Sequence, residues 1–272
     1  NVDFRLRQTD FSADGARGGA PWLGMKIADL NGLDRVLLIG STLRKDHPLL
    51  AQRLRQAVKK GAQFTLLNPV DDDLLMRIAA RSIVAPGAME AALGEVLKAA
   101  AEANAVAVPA AVAGLTVGEN ARAIAASLVS GRNAAIFLGN MAENHPRAAQ
   151  LHRLAQALAK ITGAKLGFLG AAANSVGGHL AGALQAGTDA ARLLAQPRKA
   201  YLLLHAEIEL DGHAAHAAMA AMQAAELVVA MSPFKHRALE YAQVLLPVAP
   251  FTETAGTFVN TEGRIQGFQG VV

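Results

Sequence analysis

Residues 36–69 read VLLIGSTLRKDHPLLAQRLRQAVKKGAQFTLLNP, and the order of apolar runs and turn residues here indicates the fold class. The apolar run at 36–39 predicts a buried strand. Asp46-His47-Pro48 predicts a helix start, because Asp is a common N-cap residue and proline is tolerated in the first helical turn. Gly61 ends that helix, and the apolar run at 64–67 predicts a second strand. A strand, a helix and a strand in this order form a β–α–β unit, which builds a parallel sheet.

The same order of elements recurs further along the chain. Residues 135–138 predict a strand, Asn144-His145-Pro146 a helix start, Gly163 the end of that helix, and residues 166–169 the next strand. We interpret the two units as halves of one doubly wound sheet, which makes them a structural pseudo-repeat. The predicted fold is therefore α/β, with three layers and a mostly parallel sheet.

The rest of the chain predicts further helices and a second group of strands. Residues 89–103 and 119–129 have helical patterns, and strands at 201–204, 227–230 and 244–248 flank a helix at 214–225. The continuous apolar runs are typical of strands buried on both faces. We expect residues 1–196 to form one α/β domain with two pseudo-repeated β–α–β units. Residues 197–272 are expected to be the second half of another α/β domain, whose first half lies upstream of Asn1.

Composition excludes several classes of function. The 272 residues contain no Cys, so this chain forms no disulfide, no Cys-ligated zinc site and no iron–sulfur cluster of its own. Hydrophobic residues make up 52%, but much of this is Ala, and no apolar run is long enough to predict a membrane span. The net charge is +4, yet one Trp and two Tyr offer no stacking platform for nucleic acid. We therefore expect neither nucleic-acid binding nor direct membrane insertion.

Two glycine turns are candidates for phosphate binding. Gly40 and Gly139 each follow a predicted strand, where free backbone amides can face a phosphate. The chain has neither the G-x-G-x-x-G fingerprint nor the G-x-x-x-x-G-K-[ST] loop. Glycines of this kind are also common simply as turns at the top of α/β sheets. The turn interpretation is favoured.

Two side-chain groups are candidates for catalytic or metal sites. Ser175, in Ala173-Asn174-Ser175-Val176-Gly177, resembles a nucleophile elbow, but no hydrolase context surrounds it. The densest set of possible metal ligands lies between residues 205 and 216, and it comprises His205, Glu207, Glu209, Asp211, His213 and His216. Glu207 and Glu209 alternate as they would on a solvent-facing strand, and His213 and His216 are expected to share a helix. Ordinary surface chemistry is favoured for this group, so no metal ligand and no catalytic residue is predicted.

The closing segment and the first residues carry a family pattern. The segment reads Glu253-x-x-Gly256-Thr257-x-x-Asn260-x-Glu262-Gly263-Arg264-x-Gln266, and the start holds Asn1, Asp3, Arg7 and Thr9. Together they resemble the molybdopterin oxidoreductase family, whose fold is α/β. In the family the position of Thr9 supplies Cys, selenocysteine or Ser to the metal, and a Thr hydroxyl is a poor substitute for thiolate. The resemblance implies that all these positions, with Gly40 and Gly139, are vestigial and that no cofactor or metal is bound.

Within that family, the wording ETAGTFVNTEGRIQ at 253–266 is similar to the branch of large iron–sulfur subunits (the G subunits) of bacterial NADH–quinone oxidoreductases, the respiratory complex I enzymes. This resemblance implies a parent complex that uses NADH and FMN, passes electrons to quinone and translocates ions. The parent subunit is implied to bind 4Fe-4S and 2Fe-2S clusters through cysteines upstream of this chain. Implied partners are those cluster-bearing domains and other hydrophilic-arm subunits, at the cytoplasmic face of the inner membrane.

The resemblance also implies what this chain does within its parent. The chain is expected to be a fragment and a non-catalytic scaffold that has lost the molybdenum site. The alternative is a fragment of a working molybdopterin oxidoreductase, similar to formate dehydrogenase or nitrate reductase.

Overall fold

The structure, a computed structural model, describes residues 1–15, 19–184 and 188–271. The chain divides into two compact units. One comprises Ala20–Val176 with Thr261–Gly263, and we call it the five-stranded unit. The other comprises Asn1–Gly19, Gly177–Asn260 and Arg264–Val272, and we call it the three-stranded unit. Each is built on a parallel sheet, so the predicted mostly parallel α/β fold is confirmed.

The sheet of the five-stranded unit is parallel throughout and has the order β3-β2-β1-β4-β5. Its strands are β1 (Arg35–Ile39), β2 (Gln63–Asn68), β3 (Ala80–Ile83), β4 (Ala134–Leu138) and β5 (Lys165–Phe168). Four of these strands were predicted, and β3 was missed. Successive strands run outward from β1 on one side and from β4 on the other. The order therefore reverses between β1 and β4, which creates a topological switch point.

Helices cover both faces of this sheet. They are α1 (Leu43–Asp46), α2 (Pro48–Lys59), α3 (Met89–Ala103), α4 (Glu119–Val129), α5 (Asn140–Glu143) and α6 (Ala148–Thr162), with 3-10 turns at Ile27–Gly32, Pro86–Ala88 and Ala110–Val112. Val36 and Leu38 of β1 belong to the cluster that contains Leu54 of α2. Leu37, between them, belongs to the opposite cluster, with Leu93 of α3. Alternate strand residues thus build separate apolar cores, and the unit has the three predicted layers.

The helix start predicted after β1 is confirmed, since α2 begins at Pro48, but its cap differs from the prediction. Asp46 is the last residue of α1, so it does not cap α2, and His47 occupies that N-cap position without a side-chain cap. The start predicted after β4, at residues 144–146, lies too early, because α6 begins at Ala148. His145 is buried there, and its Nδ1 accepts a hydrogen bond from the amide of Arg147 at 3.0 Å.

The helix ends are as predicted. Gly61 follows α2 with φ +102° and Gly163 follows α6 with φ +70°, both in the left-handed region that favours glycine.

The three-stranded unit has parallel strands in the order β6-β7-β8. Its strands are β6 (Ala200–Leu204), β7 (Leu227–Ser232) and β8 (Val244–Pro247), followed by the antiparallel pair β9 (Gly256–Val259) and β10 (Ile265–Phe268). Its helices are α8 (Ala190–Ala195), α9 (Ile208–Asp211) and α10 (Ala215–Ala224), with a 3-10 turn at Arg237–Glu240; the short helix α7 (Ser175–Leu180) precedes them.

This sheet is covered on one face, which corrects the expectation that both faces of every strand are buried. Leu203 of β6 and Val228 of β7 pack with Met222 of α10. Leu202 and Leu204 point the other way, and they are 67% and 60% exposed. The residues of β6 thus alternate between a packed face and an open one.

The compact units do not follow the division predicted at residues 196 and 197. The chain start packs with later residues of its own unit: Asp3 pairs with Leu184 in an isolated bridge and accepts a hydrogen bond from the amide of Ala190 at 3.1 Å. The amide of His213 donates to the carbonyl of Leu6 at 2.9 Å. The domain half that was expected upstream of Asn1 stays a prediction. Across the part of the chain that the structure describes, every helix is too short or too polar for a membrane span.

Candidate functional site

The switch point of the five-stranded sheet lies where the turns after β1 and β4 meet. The amide of Gly139 donates to the carbonyl of Ile39 at 2.9 Å, and the amide of Met141 donates to the carbonyl of Gly40 at 3.0 Å. The two predicted glycine turns are therefore bonded to each other. In open parallel sheets this carboxyl edge is where ligands usually bind.

Close packing explains both glycines. A Cβ on Gly40, whose φ is +61°, would lie 2.6 Å from the amide nitrogen of Ala142. A Cβ on Gly139 would lie 2.3 Å from the Cβ of Ser41. Their amides are also engaged within the fold, since Gly40 donates to the carbonyl of Leu67 at 3.0 Å. The glycines thus serve as tight turns, and they do not present free amides to a phosphate.

Three polar atoms at this edge nevertheless stay buried without a partner in the described residues. They are Ser41 Oγ, Asn140 Oδ1 and His47 Nε2. The amide of Ser41 donates to Asn68 Oδ1 at 2.8 Å, so only its hydroxyl is left over. Burial lowers the pKa of His47, against a smaller raising effect of the Asp46 charge. Buried polar groups of this kind are normally hydrogen-bonded, so they mark the switch point as a candidate ligand site.

The closing segment forms the β9–β10 hairpin, and its turn explains three of the family positions. The amide of Arg264 donates to Asn260 Oδ1 at 2.9 Å, and the amide of Asn260 donates to the carbonyl of Arg264 at 3.0 Å. Gly263 lies between them with φ +85°. These residues are therefore needed to close the hairpin, whatever else they do.

The tip of this hairpin belongs to the five-stranded unit and is anchored there. Glu262 Oε2 accepts a 2.6 Å hydrogen bond from the amide of Ile27. Thr261 donates from Oγ1 to the carbonyl of Phe168 at 3.1 Å, and its own carbonyl accepts from the amide of Leu23 at 2.7 Å. Glu262 is thus a structural carboxylate that satisfies one backbone donor. Ionised acceptors of this kind make the stronger class of hydrogen bond.

The other positions of the closing segment lie along the hairpin or just before it. Glu253, Thr257 and Gln266 are exposed. A Cβ on Gly256 would lie 2.7 Å from the ring of Phe268, so glycine is required there for packing. Most positions of this motif therefore have a role in the hairpin turn, in its anchoring or in packing.

The chain start is organised by Arg5, a residue that the sequence pattern did not single out. The fully buried carboxylate of Asp3 lies 2.7 Å from Arg5 Nη2, and Arg5 Nη1 lies 2.7 Å from Asp14 Oδ2. Burial lowers the pKa of Arg5, but the hydrogen bonds and charges of Asp3 and Asp14 outweigh it and raise the pKa overall. The guanidinium also lies 4.9 Å from the ring centre of Phe11. Asp3 is thus one half of a buried ion pair.

The remaining positions of the first motif are more exposed. Asn1 is exposed, and Arg7 is 73% exposed, with its Nη2 3.6 Å from Asp211 Oδ1. Thr9 is half-buried. Pairs as open as that of Arg7 contribute little to stability.

Ser175 serves its own turn, which argues against the elbow. Its hydroxyl donates to the carbonyl of Ala172 at 3.1 Å and accepts from the amide of the same residue at 2.9 Å. It is the first residue of α7 and does not directly follow a strand, as an elbow requires.

The acidic and histidine group between residues 205 and 216 differs from its predicted arrangement. Glu207 and Glu209 were expected on a strand, but Glu207 is at the N-cap position of the helix α9, without a side-chain cap, and Glu209 lies within the helix. His213 was expected to share a helix with His216, but α10 begins only at Ala215.

A residue outside that group completes a cluster of possible ligands. Glu207, Glu209 and His236 each offer one possible ligand atom, and these three atoms lie within 4.8 Å of one another. His236 was missed because it is far from the other two in sequence. The order of the strands could have indicated His236, because β6 and β7 are parallel neighbours and the residues that follow such strands meet at one edge of the sheet.

Comparison with known proteins gives a consistent family. The Molybdopterin oxidoreductase family matches residues 1–272. The G subunit of the NADH-quinone oxidoreductase of Mycobacterium bovis is 32% identical over 99% of this chain, and its counterpart in Mycobacterium tuberculosis gives the same values. The chain spans 35% of the length of these relatives.

Two solved structures share the fold at 16% identity. One is the formyltransferase/hydrolase complex FhcABCD of Methylorubrum extorquens, crystallised with methylofuran; its TM-score is 0.63, covering 94% of this chain and 74% of that one. The other is acetylene hydratase of Pelobacter acetylenicus, with a TM-score of 0.68 over 93% of this chain and 46% of that one. At such low identity the likeness shows the fold alone.

Proposed function

The chain belongs to the molybdopterin oxidoreductase family, and on that premise we propose that it is a scaffold portion of the G subunit in an NADH–quinone oxidoreductase. In this proposal the chain itself carries out no redox step. It holds the family framework without the molybdenum site.

The observation that carries the proposal is the closed switch point. The amides of Gly40, Ser41 and Gly139 all donate to acceptors within the five-stranded unit. A phosphate-bearing cofactor held by these turns would have to break those bonds. The residues therefore do not fit a pterin cofactor held in that way, and we derive no step through one.

The ligand position supports the same conclusion. Thr9 offers an alcohol, and an alcohol at neutral pH is a weak ligand beside the thiolate that soft metals favour.

The parent's activity is part of the proposal. The G subunit would take part in electron transfer from NADH to quinone, with FMN and with iron–sulfur clusters ligated by cysteines outside this Cys-free chain. This portion would pack against the cluster-bearing domains of its own subunit and against other peripheral-arm subunits. It would lie at the cytoplasmic face of the membrane, without a span of its own.

One observation favours a second candidate, a working molybdopterin oxidoreductase. Ser41 Oγ, Asn140 Oδ1 and His47 Nε2 are buried without partners in the described residues, and a bound ligand would satisfy them.

Metal analysis of the intact subunit separates the two candidates. We expect far less than one molybdenum or tungsten per subunit, with iron in the same sample as the loading control. One molybdenum or tungsten per subunit would instead support the second candidate, a working molybdopterin oxidoreductase.

A variant of Thr9 tests the same proposal by activity. We expect Thr9→Ala to leave NADH–quinone activity of the assembled complex within about twofold, because no reacting atom depends on the hydroxyl. A loss of activity in a complex that still assembles would contradict the scaffold role.

A further inference from the structure

We propose that Glu207, Glu209 and His236 bind one divalent transition cation, such as Zn²⁺ or Mn²⁺, at the carboxyl edge of the three-stranded sheet. The proposal is independent of the scaffold function. It also departs from the sequence-based expectation that the chain holds no metal ligand.

Topology brings the three ligands to one place. Glu207 and Glu209 follow β6, and His236 follows β7, the strand directly hydrogen-bonded to β6. Both strands end at the same edge because they are parallel, and loops at this edge form the sites of open α/β sheets. One ligand atom from each residue lies within 4.8 Å of the other two. A cation with bonds of about 2.1 Å holds its ligand atoms about 3.4 Å apart, so small side-chain rotations close the site.

Two atoms of the cluster lack the partners that buried polar atoms normally have. Glu209 Oε1 and His236 Nε2 are both buried without a hydrogen bond in the described residues. The other oxygen of Glu209 accepts from the hydroxyl of Tyr241 at 3.1 Å, and Nδ1 of His236 accepts from the amide of Ala238 at 3.2 Å. Each residue is therefore held through one atom, while its second atom makes no hydrogen bond in the described residues, and Nε2 of His236 can become a ligand once its proton has moved.

The carboxylates of the site leave room for a cation, since the nearby Arg237 is engaged with Glu240. Among the described residues, Glu207 and Glu209 form no ion pair within 4.0 Å, whereas the nearby Glu240 is paired with Arg237 at 2.8 Å. The hydroxyl of Tyr241 donates to Glu209 Oε2 at 3.1 Å and orients this carboxylate, as outer-shell donors do in metal sites.

The ligand types select the class of ion. Imidazole nitrogen suits Zn²⁺ and its neighbours, whereas Mg²⁺ and Ca²⁺ are bound through oxygen alone. Two carboxylates with one imidazole fit Zn²⁺ or Mn²⁺, with at least one coordination position left for water.

Binding also has a proton balance. A neutral His236 whose Nδ1 accepts a hydrogen bond carries its proton on Nε2. For Nε2 to bind the cation, this proton moves to Nδ1, and the hydrogen bond from the amide of Ala238 is lost.

The test is a Zn²⁺ titration of the metal-free 272-residue chain against a chromophoric zinc chelator. We expect one Zn²⁺ per chain. Glu207→Gln, Glu209→Gln and His236→Asn should each weaken binding at least tenfold, since each removes one of three ligands. Gln at 209 keeps an acceptor for Tyr241, and Asn at 236 keeps a cap for Ala238, so these variants retain the local hydrogen bonds.

Two matched controls locate the site. Glu240→Gln removes a carboxylate from the 3-10 turn that follows His236, and His213→Gln removes an exposed imidazole. Both variants should bind Zn²⁺ with an affinity within twofold of that of the unmodified chain. Zn²⁺ should raise the Tm of the unmodified chain and of both controls, but not that of the three ligand variants. Absence of saturable binding would overturn the proposal. So would equal weakening in a control, which indicates adventitious surface binding.

Discussion

The carboxyl edges of the two parallel sheets are built in opposite ways. At the edge of the five-stranded sheet, Gly40 and Gly139 bring the turns so close that their backbones bond to each other. At the edge of the three-stranded sheet, Glu207, Glu209 and His236 occupy the same topological position. Both edges keep buried polar atoms without a partner in the described residues, but at this edge two of them belong to a cluster of possible metal ligands. Edge topology therefore supplies a place for a ligand, while the residues that follow each strand decide whether it stays open.

The two sheets also differ in how they are covered. Every residue of β4 is buried, because helices pack on both faces of its sheet. In β6 the exposed Leu202 and Leu204 flank the buried Leu203, so the smaller sheet is open on one face at this strand, whereas Val229 and Met231 of β7 are half-buried. A parallel sheet with a bare apolar face is unusual among folded domains, and exposed apolar surface of this kind marks an interaction site. This agrees with the proposed scaffold role, in which neighbouring domains cover it.

The largest expected effect comes from one substitution made in both sheets. Leu38→Ala in β1 removes a side chain that is fully buried, and we expect a loss of about 4 kcal/mol in the free energy of unfolding. Leu202→Ala in β6 removes a side chain that is 67% exposed, and we expect less than about 0.5 kcal/mol.

Urea unfolding can follow the two units separately. The single Trp of the chain, Trp22, belongs to the five-stranded unit, and the two tyrosines, Tyr201 and Tyr241, belong to the three-stranded unit. Fluorescence of Trp22 should therefore report Leu38→Ala, and tyrosine absorbance should report Leu202→Ala. Equal losses in the two variants would contradict the difference in packing, because the small sheet would then be as well packed as the large one.

The next largest effect concerns the ion pair between Arg5 and Asp3, which we expect to stabilise the three-stranded unit. Arg5→Ala leaves the buried carboxylate of Asp3 without its guanidinium, and we expect a loss of about 3 kcal/mol, read by tyrosine absorbance. Arg7→Ala is the matched control, since Arg7 is largely exposed and its ion pair is long. It should change the free energy of unfolding by less than about 0.5 kcal/mol.

The result also separates two interpretations of the first motif. If Arg7→Ala costs as much as Arg5→Ala, the ion pair with Asp3 does not explain why the chain start folds with this unit.

Strands and helices with long, clearly punctuated patterns were predictable from the sequence. The helix α3 was predicted with the bounds it has, because its apolar face repeats over several turns. The strands β1 and β4 were placed to within one residue, because each is a continuous apolar run that ends at glycine. The family pattern was equally readable, since it depends on the identity and spacing of residues.

What the sequence did not reveal depends on contacts between distant residues. β3 reads Ala-Arg-Ser-Ile and alternates only weakly, and it becomes a strand because β2 offers it a free edge. His236 joins Glu207 and Glu209 only after β6 and β7 pair. Arg5 was passed over in favour of Arg7, because local spacing does not tell which of two arginines faces a buried carboxylate.

The smallest expected effect concerns pH and returns to the edge of the five-stranded sheet. Burial lowers the pKa of His47 below its ordinary value of 6.5, so the unfolded chain binds this proton more readily than the folded one. The resulting stability is complete above pH 6.5 and is lost as pH falls from there through the lower pKa of the folded state. His47→Gln should flatten that part of the stability profile, measured by urea unfolding with Trp22 fluorescence, whereas His213→Gln, at an exposed position, should not. An unchanged slope in His47→Gln would mean that the His47 imidazole is open to water in the folded state, which contradicts its burial at this edge of the five-stranded sheet.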